Sequence, residues 1–451
     1  MNGPSDLPSD LETQQRHVIQ SCRDLDVKFI RLWFTDILGL LKSVAITVEE
    51  LDHAFADGVA FDGASIQGFA RRDETDMVAV PDPSTFQLLP WRPREQAVAR
   101  MFCDVRLPSG EPFDGDPRHV LKRTLEQAAQ RGYTYYVSPE IEYFYFRDQH
   151  GTQPLDEGGY FDLTPLDGGT DLRRETVLML EQMGIPVALS HHEAAPSQHE
   201  IDLRYTDALA MADSIMTYRL VVKEVALRHG VYATFMPKPR TEVNGSAMHL
   251  QISLFRGETN GFYDADDALR ISSDARRFMA GLLRHAPEMM LVTNQWANSY
   301  KRIVPGFEAP THVTWSPRNH SDLLRVPEHR PGQEGSTRIE YRVPDAAANP
   351  YLLFAAVMSS GLAGIDQGYD LPAPVERDVR ELEPAELERR GVARLPNSLG
   401  EAIEHFEGSS LMQEALGGYM HASLLRNKRD EWDAYRRQVS DYEVQRYLGT
   451  L

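Results

Sequence analysis

Two glutamates two residues apart, Glu140 and Glu142, stand in the run Val137-Ser138-Pro139-Glu140-Ile141-Glu142-Tyr143-Phe144. The β-branched and aromatic residues around them predict a strand. Side chains alternate faces along a strand, so both carboxylates point one way while Ile141 and Tyr143 point the other way, into a core. Carboxylates side by side repel unless something positive sits between them. Oxygen-rich groups of this kind suit Mg²⁺ or Mn²⁺. Alone, the pattern is better explained as a strand with one wet face, but it recurs. Met248-His249-Leu250-Gln251-Ile252-Ser253 sets His249, Gln251 and Ser253 against three apolar residues. Arg338-Ile339-Glu340-Tyr341-Arg342 sets Arg338, Glu340 and Arg342 against Ile339 and Tyr341. Three such faces, if they converge, form a concave site of carboxylates, an imidazole and guanidiniums. That site would hold metal ions and an anionic substrate together.

The elements that must position these strands read as a mixed α+β chain. Residues 1–12 are expected as a disordered tail, 13–112 as a small N-terminal domain and 113–451 as a larger one. In the small domain, Val27–Thr35 and Leu41–Thr47 read as strands joined by a turn at Asp36 to Gly39. Thr47-Val48-Glu49-Glu50 reads as a capping box opening a helix that ends near Gly58. Asp62 and Ser65 then fall where a strand breaks into a turn, and Asp76 follows. Asp116 and Pro117 open the next helix, and Gly132 closes it. Further helices are expected near 171–183, 206–228, 273–300 and 350–366, with Arg302 to Pro310 as a Gly/Pro-bearing loop.

Composition narrows the function classes. The 451 residues are 42% hydrophobic and 25% charged, ordinary for a globular protein with a large core. There are 47 basic against 67 acidic residues, a net charge of −20, which disfavours general binding to nucleic acid or anionic membranes. Cys22 and Cys103 are too few and too far apart for a disulfide scaffold or zinc ribbon. No apolar run is long enough to span a membrane and residues 1–20 lack a signal-like core, so a cytoplasmic location is expected.

Six motifs, in order, resemble the glutamine synthetase family in its bacterial type-I form. They are Phe61-Asp62-Gly63-x-Ser65-Ile66, Pro139-Glu140-x-Glu142, and His192-Glu193 through Gln198-x-Glu200. Then come Asn244-Gly245-Ser246-x-Met248-His249, Asn298-Ser299-Tyr300-Lys301-Arg302 with Pro305-Gly306-x-Glu308-Ala309-Pro310, and Arg338-Ile339-Glu340-x-Arg342-x-Pro344-Asp345. The resemblance implies a β-grasp N-terminal domain and a catalytic domain with an open antiparallel barrel surrounded by helices. It also implies a homo-oligomer, a dodecamer of two stacked rings with sites between subunits. The implied reaction is ATP-dependent conversion of glutamate to γ-glutamyl phosphate, followed by displacement of phosphate by an amine or ammonium. By the same resemblance, Glu142, Glu193 and Glu200 hold one Mg²⁺ or Mn²⁺ and Glu140, His249 and Glu340 another. Arg302 and Arg342 hold the glutamate carboxylates near Asn244 and Gly245, a role suited to a planar guanidinium fork. Arg325 faces the phosphates, while Arg338, Ser253 and Gln251 lie toward ATP. Glu308 belongs to a lid loop. Asp62 deprotonates the incoming amine from a neighbouring subunit, with Ser65, Asp76 and Tyr160 around that pocket.

Departures from the pattern bear on the acceptor. His320 stands where the family usually has an arginine facing phosphate, Gln251 replaces a second histidine, Gly335 replaces a common lysine and Ala64 a common serine. Four readings compete: a ligase joining glutamate to an organic amine, a glutamine synthetase using ammonium, a guanidino-kinase-like phosphotransferase, and a non-catalytic relative. A full set of matched ligands disfavours the last. Asp62, Glu308 and the carboxylate-binding arginines would be idle in the third. The loosened amine pocket favours an amine such as a polyamine or ethanolamine over ammonium.

Overall fold

The computed structural model describes residues 10–66, 68, 76–328 and 332–451. The expected tail is corrected at its end: residues 10–12 already open helix α1 (Asp10–Asp24), whose first turn is acidic and so complements the helix dipole. Residues 1–9 lie outside the described residues.

The N-terminal sheet contains β1 (Val27–Thr35), β2 (Leu41–Thr47), β3 (Val59–Asp62), β4 (Asp76–Pro81), β5 (Gln87–Leu88) and β6 (Ala97–Arg106). Its order is β2-β1-β6-β4-β3, with β1 and β6 parallel and β5 added to β6. Helix α2 (Leu51–Asp57) crosses between β2 and β3 and ends at Gly58, at φ +74°, a region where glycine carries no steric cost. The capping box at Thr47 is not formed. Thr47 still belongs to β2, and the chain enters α2 through a 3₁₀ turn, Val48–Glu50, without a side-chain cap.

Helix α3 (Pro117–Gln130) leads into the second domain, its first amides capped by Asp116, which accepts from the Arg118 N–H. The large sheet runs β14-β15-β16-β12-β7-β9-β8, built on β7 (Thr134–Phe146), β8 (Val187–His192), β9 (Gln198–Leu203), β12 (Met248–Arg256), β14 (Trp315–Ser316), β15 (Leu324–Arg325) and β16 (Ile339–Tyr341). Short strands β10 (Thr206–Asp207) and β11 (Tyr232–Thr234) pair with β7, and β13 (Thr259–Asn260) with β12. Pairing is antiparallel apart from β14 and β15. Helices α4 (Thr170–Gln182), α5 (Ala208–Arg228), α6 (Ser273–Thr293) and α7 (Pro350–Gln367) sheathe it. Ile141, Tyr143, Leu250, Ile252, Ile339 and Tyr341 are fully buried, so the apolar face of each site strand is the core face. Glycines let α6 and α7 approach closely: a Cβ on Gly281 would sit 2.1 Å from the Ser360 carbonyl oxygen.

A buried arginine joins the domains. Arg118 ion-pairs with Asp82, just after β4, at 2.8 Å, with Asp104 of β6 at 2.6 Å and with Asp213 of α5 at 3.0 Å. The Asp36–Gly39 turn makes a further junction, as Asn349 Nδ2 donates to the Ile37 carbonyl and Gln295 Nε2 to that of Leu38. Burial would raise the Asp82 and Asp104 pKa values, but Arg118 holds them below the usual range. Arg118→Met is therefore expected to destabilise the protein by about 3–5 kcal/mol, since buried carboxylates lose their partner. A carboxylate with a depressed pKa stabilises above its unfolded value, and that stabilisation is lost as pH falls through its folded one. Denaturant midpoints should thus fall below about pH 4, and less steeply in the variant. Equal midpoints for the two proteins at pH 7 would contradict this account.

Candidate active site

Strand register assembles the site around β7. Glu140 lies opposite His249 on β12 and Asp202 on β9, and Glu142 lies opposite Glu200. One strand further out, His191 pairs with Glu200, while Glu340 pairs with Gln251 on one side and Arg325 on the other. The pleat turns all of these to the same, inner face.

Two acidic clusters result. In one, Glu140, His249 and Glu340 bring donor atoms within 4.8 Å of one another. His249 Nδ1 is 3.4 Å from Glu140, and Nε2 is buried with no hydrogen-bond partner among the described residues. Burial, reinforced by Arg342, holds the imidazole pKa well below its ordinary value, leaving the neutral form that ligates metals. Glu340 accepts from Arg325 Nε at 2.5 Å and from Arg342 Nη1. Burial would raise its pKa, but Arg342 and its neighbours keep it low. Gln251 links the nearby groups, donating to Glu140 at 2.8 Å and accepting from Arg338 Nε at 2.9 Å.

The second cluster is His191, Glu193 and Glu200, with His191 3.5 Å from each carboxylate. Burial and then the charge of Glu142 raise Glu193 to about 7 and push Glu200 up as well. Burial also raises Glu142, against the pull of Arg302. Glu142 thus adjoins the cluster, yet its Oε2 accepts from Gln198 Nε2 and the Ala247 N–H, both at 2.8 Å. Hard carboxylate oxygens with a single imidazole fit Mg²⁺ or Mn²⁺ in either cluster.

Around the clusters, Arg302 is 1% exposed and donates through its two Nη groups to the Val343 and Arg342 carbonyls. Gly245 packs beneath it and accepts from Gln198. Glu308 is exposed on its loop, its N–H reaching Asn244 Oδ1 at 3.4 Å. Tyr160 is 60% exposed and stacks on Phe161 at 4.1 Å, and both rings meet His191 edge-on. Phe161 has φ +62°, a strained value for a bulky residue, and its N–H donates to the His192 carbonyl. Behind it, His192 bonds Asp156 at 3.0 Å, and Arg173 bridges Asp167 and His199. This third buried group of acids and imidazoles holds the loop carrying Tyr160.

A cavity of about 280 Å³ opens beside Glu140, walled by Tyr136, Tyr205 and Phe255 and by Gln251, Ser253 and Arg338. A larger one of about 760 Å³ lies near Trp296 and Tyr435 and holds none of the clustered carboxylates, so it offers no such metal-binding group. His320 contacts Arg325 at 3.3 Å. Asp62 and Asp76 pair across β3 and β4 in the N-terminal sheet, and the Asp62 side chain caps the Ala64 N–H. Ser65 follows in the same turn. Among the described residues, these three make no hydrogen bond or ion pair with the clusters.

Sequence reasoning missed His191, Asp202 and Gln198 as site residues. Strand alternation in His191-His192-Glu193 and Glu200-Ile201-Asp202 was the available signal. Burial and Glu200 raise the Asp202 carboxyl strongly, which marks it as part of the same negative concentration.

Paired acidic clusters, a nest of arginines and an aromatic-walled cavity on one curled sheet define an enzyme for anionic substrates. Residues 26–108 match the glutamine synthetase β-grasp domain and residues 114–447 the glutamine synthetase catalytic domain. A glutamine synthetase of Mycolicibacterium smegmatis is 51% identical over 445 residues, covering 97% of this chain and 100% of its own. One of Methanosarcina mazei is 48% identical over 443 residues, covering 97% and 98%. The solved complex of GmaS with ADP superposes with a TM-score of 0.86 at 29% identity, covering 96% of this chain and 99% of GmaS. The chain belongs to the glutamine synthetase family, the ATP-dependent ligases that join glutamate to ammonia or an amine.

Gly245 offers a direct test of this geometry. A Cβ there would lie 2.1 Å from the Pro237 carbonyl oxygen and 3.1 Å from Arg302 Cγ. Gly245→Ala should displace the Asn244 loop and lower glutamate-dependent ADP release on the order of 100-fold, as expected for a misplacement near 1 Å. Unchanged turnover would show that this close approach is dispensable.

Proposed function

We propose that this enzyme activates the glutamate γ-carboxylate with ATP and joins it to an organic amine such as a polyamine or ethanolamine. The observation that carries the acceptor reading is the exposed Tyr160–Phe161 stack beside His191, Glu193 and Glu200. An aromatic lip next to an anionic pocket suits a cation that trails a carbon chain. Ala64 in place of a hydroxyl, with the changes at His320 and Gln251, supports the same reading. Ammonium is the alternative, favoured by the naming of relatives about half identical as glutamine synthetases.

In the proposed reaction a γ-carboxylate oxygen attacks the γ-phosphorus of ATP and the bond to ADP breaks. The amine nitrogen, deprotonated by Asp62, attacks the activated carbonyl, and the carbon–oxygen bond to phosphate breaks. Mg²⁺ or Mn²⁺ held by Glu142, Glu193 and Glu200, and by Glu140, His249 and Glu340, would offset the triphosphate's charge. Arg342 and Arg302 hold glutamate beside Asn244 and Gly245, and Arg325 faces the phosphates. Ser253, Gln251 and Arg338 line the nucleotide cavity. Glu308 covers the acyl phosphate and excludes water. Asp62, Ser65 and Asp76 act from a neighbouring subunit of a dodecameric assembly, which accounts for their separation from the clusters within one chain.

Two outcomes are expected. Glu193 and Glu200 carry raised pKa values, so Mn²⁺ must displace protons from them. Its affinity should rise with pH through about 7 and proton release should accompany binding, measured calorimetrically in buffers of different ionisation enthalpy. Binding without either effect would remove these residues from the ligand set. For the acceptor, kcat/KM at fixed glutamate and ATP should be higher for at least one of putrescine, spermidine, ethanolamine or a small monoamine than for ammonium. Ammonium used as well as every amine would make this an ordinary glutamine synthetase.

A further inference from the structure

Lys238 is buried but makes no ion pair among the described residues. Its ammonium donates to the Val243 carbonyl and sits 3.2 Å from the centroid of the Phe307 ring. Its backbone is fixed separately: the N–H donates to Asn298 Oδ1 at 2.8 Å, and the carbonyl accepts from Asn298 Nδ2 at 3.0 Å. Burial and the adjacent Arg302 pull its pKa down to about 8, with Glu242 opposing them. A desolvated ammonium held by one carbonyl and one ring face is strongly directional, because a cation–π contact strengthens as water is removed. The two segments it grips both lead into the site. Val243 precedes Asn244 and Gly245, and Phe307 precedes Glu308, whose N–H reaches Asn244.

We propose that Lys238 is a positioning residue that latches the Glu308 loop to the Asn244–Gly245 loop; its catalytic consequence rests on the reading of Glu308 as a lid. Lys238 touches no reacting atom in this role. It carries the fixed position of Asn298 to both loops, so Glu308 is held over the site only while the ammonium bridges Val243 and Phe307.

The test uses the full-length enzyme with Lys238→Met, Lys238→Arg, Phe307→Leu, the Met/Leu double variant and Glu308→Gln. Hydrogen exchange of residues 302–310 reads the latch directly, and phosphate released per amide formed reads the lid. Faster exchange is expected in Lys238→Met and in Phe307→Leu, with no further increase in the double variant. Lys238→Arg, which keeps a cation over the ring, should restore part of the protection. Phosphate released without amide should rise several-fold in Lys238→Met and Glu308→Gln alike. Wild-type exchange in both Lys238→Met and Phe307→Leu overturns the latch whatever Glu308 does. Faster exchange with no phosphate leak in Glu308→Gln supports the latch and removes the lid reading instead. If Lys238→Met fails to fold, Phe307→Leu and Lys238→Arg decide by the same two measurements.

Discussion

The constraint on which the site depends is the concentration of negative charge on one buried sheet face. Glu140 and Glu142 on β7, Glu200 and Asp202 on β9 and Glu340 on β16, with Glu193 just past β8, crowd one side of the sheet. Two unit charges 4–5 Å apart repel by roughly 3–4 kcal/mol at an effective dielectric near 20, against about 1 kcal/mol in water. Glu193, raised to about 7, feels burial first and the charge of Glu142 second. Hydrophobic packing on the other face holds the strands in place against this repulsion.

The two halves of the site answer the charge differently. Glu340 is gripped by Arg325 and Arg342 and keeps a low pKa. Glu193 and Glu200 have no guanidinium against them among the described residues; burial and then the charge of Glu142 raise their pKa values. The half without guanidiniums is therefore where a divalent cation gains most, because burial there is not already compensated. The arginine-rich half suits phosphate and carboxylate groups that arrive carrying their own charge.

Rigid and adjustable parts are also divided. The sheet, the close α6–α7 crossing and the Arg118 network fix the frame. The aromatic lip of Tyr160 and Phe161 and the Glu308 loop lie at its rim and are exposed. Each loop is nonetheless tied to the frame, one by the Asp156–His192 contact and one through Phe307 and Lys238. Loops on a rigid scaffold let one fold serve different acceptors without disturbing the charged centre.

Strand periodicity alone was enough to say that Glu140 and Glu142, His249 and Gln251, and Glu340 and Arg342 share faces opposite buried apolar residues. That property is local, fixed by the two-residue repeat of an extended backbone. Helix limits at Asp116–Pro117 and Gly132 were legible for the same reason, whereas the Thr47 box failed because the tertiary path kept Thr47 in a strand. Ordered motifs made the family and its activity legible in the sequence. Only the fold decided that His191 and Asp202 belong with Glu200, that Gln251 bridges Glu140 to Arg338, that Arg302 is anchored by two backbone carbonyls, and that Asp62 stands apart from the clusters in its own chain. Those facts depend on which strands pair and in what register. Pairing is set by burial between segments far apart in sequence, which no local pattern encodes.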